Sequence, residues 1–220
     1  KVQGYTRLLD EIRNDGRLKA VLLDIDSPGG TASASELLYR SLLRLAREKP
    51  VVAYIRGTGA SGAYYIACAA RKIVALPSAL VGSIGVIYLR PVLQELFQKL
   101  GISFSVYTGG RLKGMGGFWR GRTSEEEDKF KGLIEEIYNN FVQAVKAGRG
   151  MDEDRVREMA TGELFTGTGA QERGLVDQIG DFEDALEAAA EMGRDRPRPV
   201  WVKPNVRSWS ASRDACVGQG

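Results

Sequence analysis

The chain has 220 residues, of which 43% are hydrophobic and 27% charged, as is typical of a folded globular protein. The formal net charge of +3 is too small to indicate nucleic-acid binding by itself. The sequence contains no histidine, which excludes a Ser-His-Asp triad, a Cys-His pair and imidazole ligands for zinc. Any acid–base chemistry near neutral pH must therefore use a carboxylate, lysine, tyrosine, cysteine or chain terminus.

The two cysteines do not form a disulfide framework. Cys68 lies in an apolar run and is predicted to be a buried small hydrophobe, whereas Cys216 lies in a polar tail that is predicted to be disordered. The most apolar region, residues 63–92, is interrupted by charged residues, proline and glycine, so it predicts buried helix and strand rather than a membrane-spanning helix. The chain begins with a helix-like segment, and we expect upstream strands and a membrane anchor to be absent from this sequence.

Strand and helix alternate along the first half of the chain. Residues 19–26 are a continuous apolar run ended by Ser-Pro-Gly-Gly, which predicts a strand buried on both faces. A helix follows in which Ser33 and Glu36 have capping-box spacing, and Pro50 ends it. The next predicted elements are strands at 51–57 and 72–76, a short helix after Gly62, a helix over 91–101 and a strand over 102–107.

The second half is more helical. Thr123 and Glu126 form a second predicted capping box, at the start of a long helix that ends near Gly148. The alternation of elements predicts an α/β fold with a mostly parallel sheet and helices packed on its faces. We expect one domain over residues 1–193, followed by a strand-like piece and a polar tail over 194–220.

The stretch GTGASGAYYIA, residues 57–67, allows two interpretations that involve no reaction at Ser61. Its Gly-x-Gly-x-x-Gly spacing follows a predicted strand and opens a helix, as in dinucleotide-binding folds. That fingerprint also needs an acidic residue about 20 positions later, and none occurs between Glu48 and Glu95. Alternatively, the glycines only permit a tight turn, with Ser61 as a helix cap.

A third interpretation makes Ser61 a nucleophile. The amide of Gly62, the next residue, could then face a developing oxyanion. Because histidine is absent, the available general base is a lysine, whose pKa would have to fall well below about 10.4 for it to accept a proton. Sequence spacing alone does not locate that lysine.

Several motifs together resemble one family of peptidases. In chain order they are SPGG, GTGASGAYYIA, GSIGVIY, YTGGRLKGMG and GELFTGTGAQERGLVDQIG. These blocks, spread over residues 19–181, are similar to the bacterial and archaeal signal peptide peptidase A family. The resemblance implies a Clp-protease/crotonase-type fold with a single catalytic domain, here the peptidase domain of residues 1–193.

The resemblance also implies a role for individual residues. Ser61 corresponds to the nucleophile, Lys113 to the general base, and Ser83 to a serine that orients the lysine amine. By analogy with Clp-type peptidases, the amides of Gly30 and Gly62 would form the oxyanion hole. The implied reaction is acyl transfer through a Ser–Lys dyad, with no cofactor and no metal, and its rate should rise on the alkaline side.

The implied function is that of a serine endopeptidase that cleaves membrane-derived signal-peptide remnants or short unfolded peptides. The family resemblance further implies a homo-oligomer whose active site can be shared between protomers, and association with the cell membrane through a segment absent from this chain. Ala60 and Ala63 are candidate substrate-binding residues, although a glycine is usual at position 63. Gly114 also departs from the family pattern, where a polar residue commonly follows the lysine.

Two alternative functions remain at this stage. Residues 109–122 interleave Arg111, Lys113, Arg120 and Arg122 with aromatic residues, a pattern that can bind single-stranded nucleic acid. The acidic run that begins at Glu125 argues against this, and no nucleic-acid partner is expected. A crotonase-type acyl-CoA enzyme would share the fold but would leave Ser61 without a role.

Overall fold

The computed structural model describes residues 2–204, so Cys216 and most of the predicted polar tail lie outside the described residues. The chain divides into two compact units. The first contains the residues up to Gly85 and those from Phe141 onward, and the second contains Val86–Asn140. The boundary between a peptidase domain and a tail at residue 193 stays a prediction.

The first unit contains all the strands of the described chain. Before the second unit it comprises α1 (Val2–Asn14), β1 (Val21–Ser27), α2 (Ala32–Ala46), β2 (Val51–Ala60), α3 (Gly62–Ala67), β3 (Lys72–Ala75) and β4 (Leu80–Gly82). The second unit contributes α4 (Gln94–Lys99) and the first part of α5 (Ser124–Arg149). The chain then continues with α6 (Glu153–Met159), β5 (Leu164–Thr166), α7 (Gly167–Glu172), β6 (Gln178–Ile179) and α8 (Phe182–Gly193).

The sheet is built around β2. Strand β1 pairs with one edge of β2, while β3 and β4 pair with successive parts of the other edge. β6 extends the sheet beyond β3, and β5 extends it beyond β4 as the one antiparallel strand among the described pairings. The predicted α/β class with a mostly parallel sheet is therefore confirmed.

Both faces of β2 are buried. Val52 and Tyr54 pack with Ala185 and Ala189 of α8 on one face. Ile55, on the opposite face of the strand, is fully buried as well. Burial on both sides explains why the sequence shows continuous apolar runs here, as expected for a parallel sheet with helices on its faces.

Four local predictions fail or have no counterpart in the structure. Strand β1 is not buried on both faces, since only Ile25 of its residues is buried and Asp24 and Asp26 are exposed. Helix α2 begins at Ala32 with Thr31 as its N-cap, so Ser33 is already helical and cannot cap, and Glu36 instead pairs with Arg40 at 2.6 Å. Residues 102–107 form no strand, because no strand of the described chain lies beside them. Residues 194–204, the described part of the strand-like piece, also lack regular structure.

The second predicted capping box is confirmed. The amide of Glu126 donates to the Thr123 hydroxyl at 3.3 Å, and the Thr123 amide donates to the Glu126 carboxylate at 3.2 Å. This reciprocal pair satisfies two amides at the start of α5.

Within the second unit, Phe97, Phe104 and Trp119 line an open groove of about 540 Å³.

Within residues 2–204, none of the helices combines the length and the apolar character that crossing a bilayer requires.

Candidate active site

Ser61 lies at the junction of β2 and α3 in a strained backbone conformation. Its φ is 51° and its ψ is −125°, a combination that residues with a side chain rarely adopt. The Ser61 amide donates to the carbonyl of Gly82 at 2.8 Å, and its carbonyl accepts from the Tyr65 amide at 2.9 Å. The strand on one side and the helix on the other thus hold the strained residue in place, a situation that is common at functional sites.

Ser83 lies at the matching position of the neighbouring strand. The parallel register pairs Ala60 of β2 with Gly82 of β4, so Ser61 and Ser83 each follow directly after a paired residue. Ser83 also has a positive φ, 48°, and its amide donates to the carbonyl of Glu163 at 2.7 Å. The structure therefore brings the two predicted serines to the same end of two adjacent strands.

The Ser-Pro-Gly-Gly turn after β1 lies against Ser61. A Cβ atom placed on Gly29 would be 2.7 Å from the amide nitrogen of Gly62 and 2.9 Å from the Cβ of Ser61. Gly29 has a φ of 109°, which only glycine adopts easily. The turn can approach the serine this closely only because residue 29 has no side chain.

The same approach brings Gly30 next to Gly62. A Cβ atom on Gly62 would be 3.2 Å from the amide nitrogen of Gly30. Neither of these two amides has an acceptor within residues 2–204. Two neighbouring free N–H groups beside a serine hydroxyl are the arrangement that stabilises an oxyanion during acyl transfer.

Lys113 belongs to the second unit, whereas Ser61, Ser83, Gly30 and Gly62 all belong to the first. It lies in a series of turns, where its amide donates to the carbonyl of Gly110 at 3.1 Å, and it is exposed. Four of the five predicted catalytic and oxyanion residues thus lie together in the first unit. The predicted base, Lys113, lies in the second unit.

The small residues beside the serine are inaccessible. Ala60 and Ala63 are each 5% exposed, so they present little surface to a substrate in this conformation.

Cys68 is 2% exposed, which confirms the prediction that it is buried. Burial also raises the pKa of its thiol to about 12, so Cys68 stays protonated and does not compete with Ser61 as a nucleophile.

Charge pairing also affects the basic loop, residues 109–122. Arg111 forms an ion pair with Glu125, and Arg120 forms one with Glu126. Two of its four basic side chains are thus matched by acids, which leaves less positive charge for phosphate groups than the sequence indicated.

Sequence reasoning missed three residues that build the site. The Gly82 carbonyl holds the Ser61 amide, the Glu163 carbonyl holds the Ser83 amide, and the Ser35 hydroxyl lies where a Gly62 side chain would be. Two of these act through the backbone carbonyl, which every residue type carries. No side-chain signal in the sequence could have identified them.

The chain is similar to known proteases over most of its length. Residues 44–195 match the model of peptidase family S49. A Methanocaldococcus jannaschii protein named as a protease is 39% identical over 86% of this chain and 60% of its own length. The chloroplastic serine protease SPPA of Arabidopsis thaliana is 36% identical over 82% of this chain and 27% of its own. Protease 4 of Haemophilus influenzae is 31% identical over 86% of this chain and 31% of its own.

Proposed function

Since the chain belongs to peptidase family S49, we propose that it is a serine endopeptidase that uses Ser61 as nucleophile and Lys113 as general base. The observation that carries this proposal is the strained Ser61 beside the free amides of Gly30 and Gly62. The strained backbone and the two neighbouring free amides fit acyl transfer better than a simple helix cap, and the Ser61 side chain makes no cap hydrogen bond.

The reaction begins when neutral Lys113 accepts the proton of the Ser61 hydroxyl. The hydroxyl oxygen then attacks the peptide carbonyl carbon, and the carbonyl oxygen becomes an oxyanion held by the Gly30 and Gly62 amides. When the carbon–nitrogen bond breaks, the lysine ammonium returns its proton to the leaving amine. The Lys113 amine next accepts a proton from water, whose oxygen attacks the acyl carbon; the bond to Ser61 breaks, and the Lys113 ammonium returns the proton to the serine oxygen.

Ser83 has the role of orienting the lysine. Ser83 follows β4 as Ser61 follows β2, so in the parallel register the two serines lie at the same end of adjacent strands. From there it can accept a hydrogen bond from the amine of Lys113, which fixes the nitrogen that takes the proton. The carboxylate behind histidine in a catalytic triad has the same function.

The substrates and setting of the whole protein extend the proposal. The chain spans 60% of the archaeal relative, and an Enterococcus faecium relative that is 36% identical is named as a signal peptide peptidase. We therefore expect substrates that are signal-peptide remnants or short unfolded peptides at a membrane. We also expect a homo-oligomer in which Lys113 and Ser61 of one site can come from two protomers.

A serine-reactive fluorophosphonate tests the dyad directly. We expect the reagent to modify Ser61, as read by peptide mapping, and we expect Ser61→Ala to abolish labelling completely. Lys113→Ala should slow labelling by about two orders of magnitude or more, because the hydroxyl then lacks a base. Lys99→Ala, which removes another lysine of the second unit, is the matched control and should label at the wild-type rate.

Other outcomes would contradict the Ser61–Lys113 dyad or favour a different class of enzyme. Modification at a different serine, or unchanged labelling of Lys113→Ala, would contradict the dyad. Two amides beside a carbonyl site would also suit a crotonase-type enzyme acting on thioesters. Turnover of coenzyme A thioesters that survives Ser61→Ala would favour that alternative over the peptidase.

A further inference from the structure

Glu126 is a buried carboxylate in the first turn of α5. It is 2% exposed, and it accepts hydrogen bonds from Arg120 Nη1 at 3.1 Å, from Arg120 Nη2 and from the Thr123 amide at 3.2 Å. The Arg120 guanidinium holds the pKa of this carboxyl below its usual value, so Glu126 is ionised at neutral pH. A buried charge of this kind persists only where its partners are fixed.

Arg120, which donates to Glu126, lies near Gly114 within the basic loop. A Cβ atom added to Gly114 would be 3.6 Å from Arg120 Nη2, the same nitrogen that bonds Glu126. Gly114 is the residue directly after Lys113. The guanidinium is therefore packed between the buried carboxylate and the backbone next to the proposed base.

A second arginine holds the far end of the same loop. Arg90 Nη2 donates to the carbonyl of Arg120 at 2.7 Å and to the carbonyl of Gly117. Its Nε and Nη1 are buried and have no hydrogen-bond partner among the described residues, and its charge lies near Glu126. Leaving these two nitrogens unpaired is costly, and the bonds to the two loop carbonyls are the hydrogen bonds that Arg90 makes within the described residues.

The loop itself has little internal rigidity. It consists of successive turns, with hydrogen bonds from Lys113 to Gly110, from Met115 to Leu112 and from Gly117 to Gly114 at 2.9–3.1 Å. Gly110 and Gly116 have φ values of 97° and 82°. A chain of glycine turns without a helix or sheet ladder needs restraint from outside to fix a side chain that it carries.

We propose that Glu126, acting through Arg120 and together with Arg90, is a positioning residue for Lys113. This inference rests on the proposed function, because it assigns the network to the loop of the proposed base. Glu126 touches neither substrate nor the reacting atoms. Its carboxylate fixes Arg120, Arg120 and Arg90 fix the turns from Gly114 to Arg120, and these turns fix the direction of the lysine.

The experiment combines substitutions with labelling of Ser61 by the fluorophosphonate and with hydrolysis of a fluorogenic peptide. Glu126→Gln keeps the size of the side chain and removes its charge, and we expect kcat to fall about 10- to 100-fold with little change in KM. Glu125→Gln is the matched control, since it removes the neighbouring exposed ion pair with Arg111 and should have wild-type kcat.

A double-mutant cycle separates positioning from general destabilisation. If Glu126 acts through Lys113, the variant with both Glu126→Gln and Lys113→Ala should label no more slowly than Lys113→Ala alone. Effects that multiply would overturn the inference and leave the dyad standing. Wild-type labelling of Lys113→Ala would instead overturn the proposed function.

A second variant covers poor folding of Glu126→Gln. Arg120→Lys keeps a positive charge against the buried carboxylate but loses the two-pronged hydrogen bond and the contact with Gly114. We expect the same loss of kcat and the same lack of additivity with Lys113→Ala. A folded Arg120→Lys variant with wild-type kcat would contradict the inference.

Discussion

Gly29 and Gly30 are neighbours in the turn that lies against Ser61, yet the space around them is very different. A Cβ atom on Gly29 would clash with the Gly62 amide and the Ala60 carbonyl, at 2.7 and 2.9 Å, whereas one on Gly30 would meet nothing within 4 Å. The family resemblance implies a role for Gly30, through its amide. The geometry shows that Gly29 is the position whose lack of a side chain matters.

This difference gives a prediction at the residue scale. Gly29→Ala should reduce Ser61 labelling by at least about 100-fold, because the turn must retreat from the oxyanion site and take the Gly30 amide with it. Gly30→Ala keeps its own N–H and has open space, so its loss should be far smaller. Labelling rates and thermal unfolding of the two variants provide the measurement, and an inverted order would contradict the assigned geometry.

At the scale of elements, the sequence predicted the first three strands well and the shortest ones not at all. β2 and β3 are apolar runs because both of their faces are covered. β1 was found from a similar run, but it is only partly buried, with Asp24 and Asp26 exposed. β4, β5 and β6 have only three, three and two residues, and pairing with neighbours rather than local sequence defines them. The alternating residues 102–107 were wrongly predicted as a strand because alternation cannot supply a pairing partner.

The site was predictable to a similar degree. Glycine-rich turns and serine positions carried the resemblance, so Ser61, Ser83 and Gly62 could be named beforehand. The register of β2 with β4, which puts the two serines together, depends on a strand that the sequence did not reveal. The buried carboxylate of Glu126 was predicted as a helix cap, and its second role toward Arg120 required coordinates.

A buried lysine gives a prediction for helix α1. Lys49 is 9% exposed, and its Nζ donates to the carbonyls of Ile12 and Asp15 at 2.6 and 2.5 Å, where the helix ends. Lys49→Met should lower the free energy of unfolding by about 1–3 kcal/mol, because it removes two hydrogen bonds of a charged donor at the end of α1, where each carbonyl keeps one backbone donor. Urea unfolding and hydrogen exchange of the α1 amides provide the measurement.

The chain offers a control for that substitution. Lys19 Nζ also donates to a carbonyl, that of Gly16 at 2.9 Å, but this bond is exposed to solvent. Lys19→Met should therefore change the free energy of unfolding by no more than about 0.5 kcal/mol. Equal effects of the two substitutions would show that burial at Lys49 does not matter.

At the scale of the whole molecule, the comparisons and the sheet confirm the predicted Clp-protease/crotonase-like α/β class. The second unit carries apolar side chains that nothing in the described chain covers. Ile87 and Leu89 are each 87% exposed, and Tyr107 is 94% exposed. Apolar surface of this extent commonly marks an interface, which fits the proposed homo-oligomer.

The oligomer proposal predicts a loss of activity on dilution. If Lys113 and Ser61 of one site come from two protomers, a verified monomer should turn over peptide poorly, and Leu89→Glu should reduce both assembly and turnover. Val200→Glu, which places the same charge at a 69% exposed site outside the second unit, should do neither. Light scattering beside peptide hydrolysis tests this, and a monomer with full turnover would contradict it.

The positive φ angles of Ser61 and Ser83 have a consequence for how this protein could change over time. Glycine would relax the backbone at both positions, so under the proposed mechanism the two hydroxyls are kept at a cost in stability. A descendant freed from the need to cut peptides would be expected to drift toward glycine at these two places. Loss of the two hydroxyls would then accompany loss of the proposed reaction, in a protein with a higher free energy of unfolding.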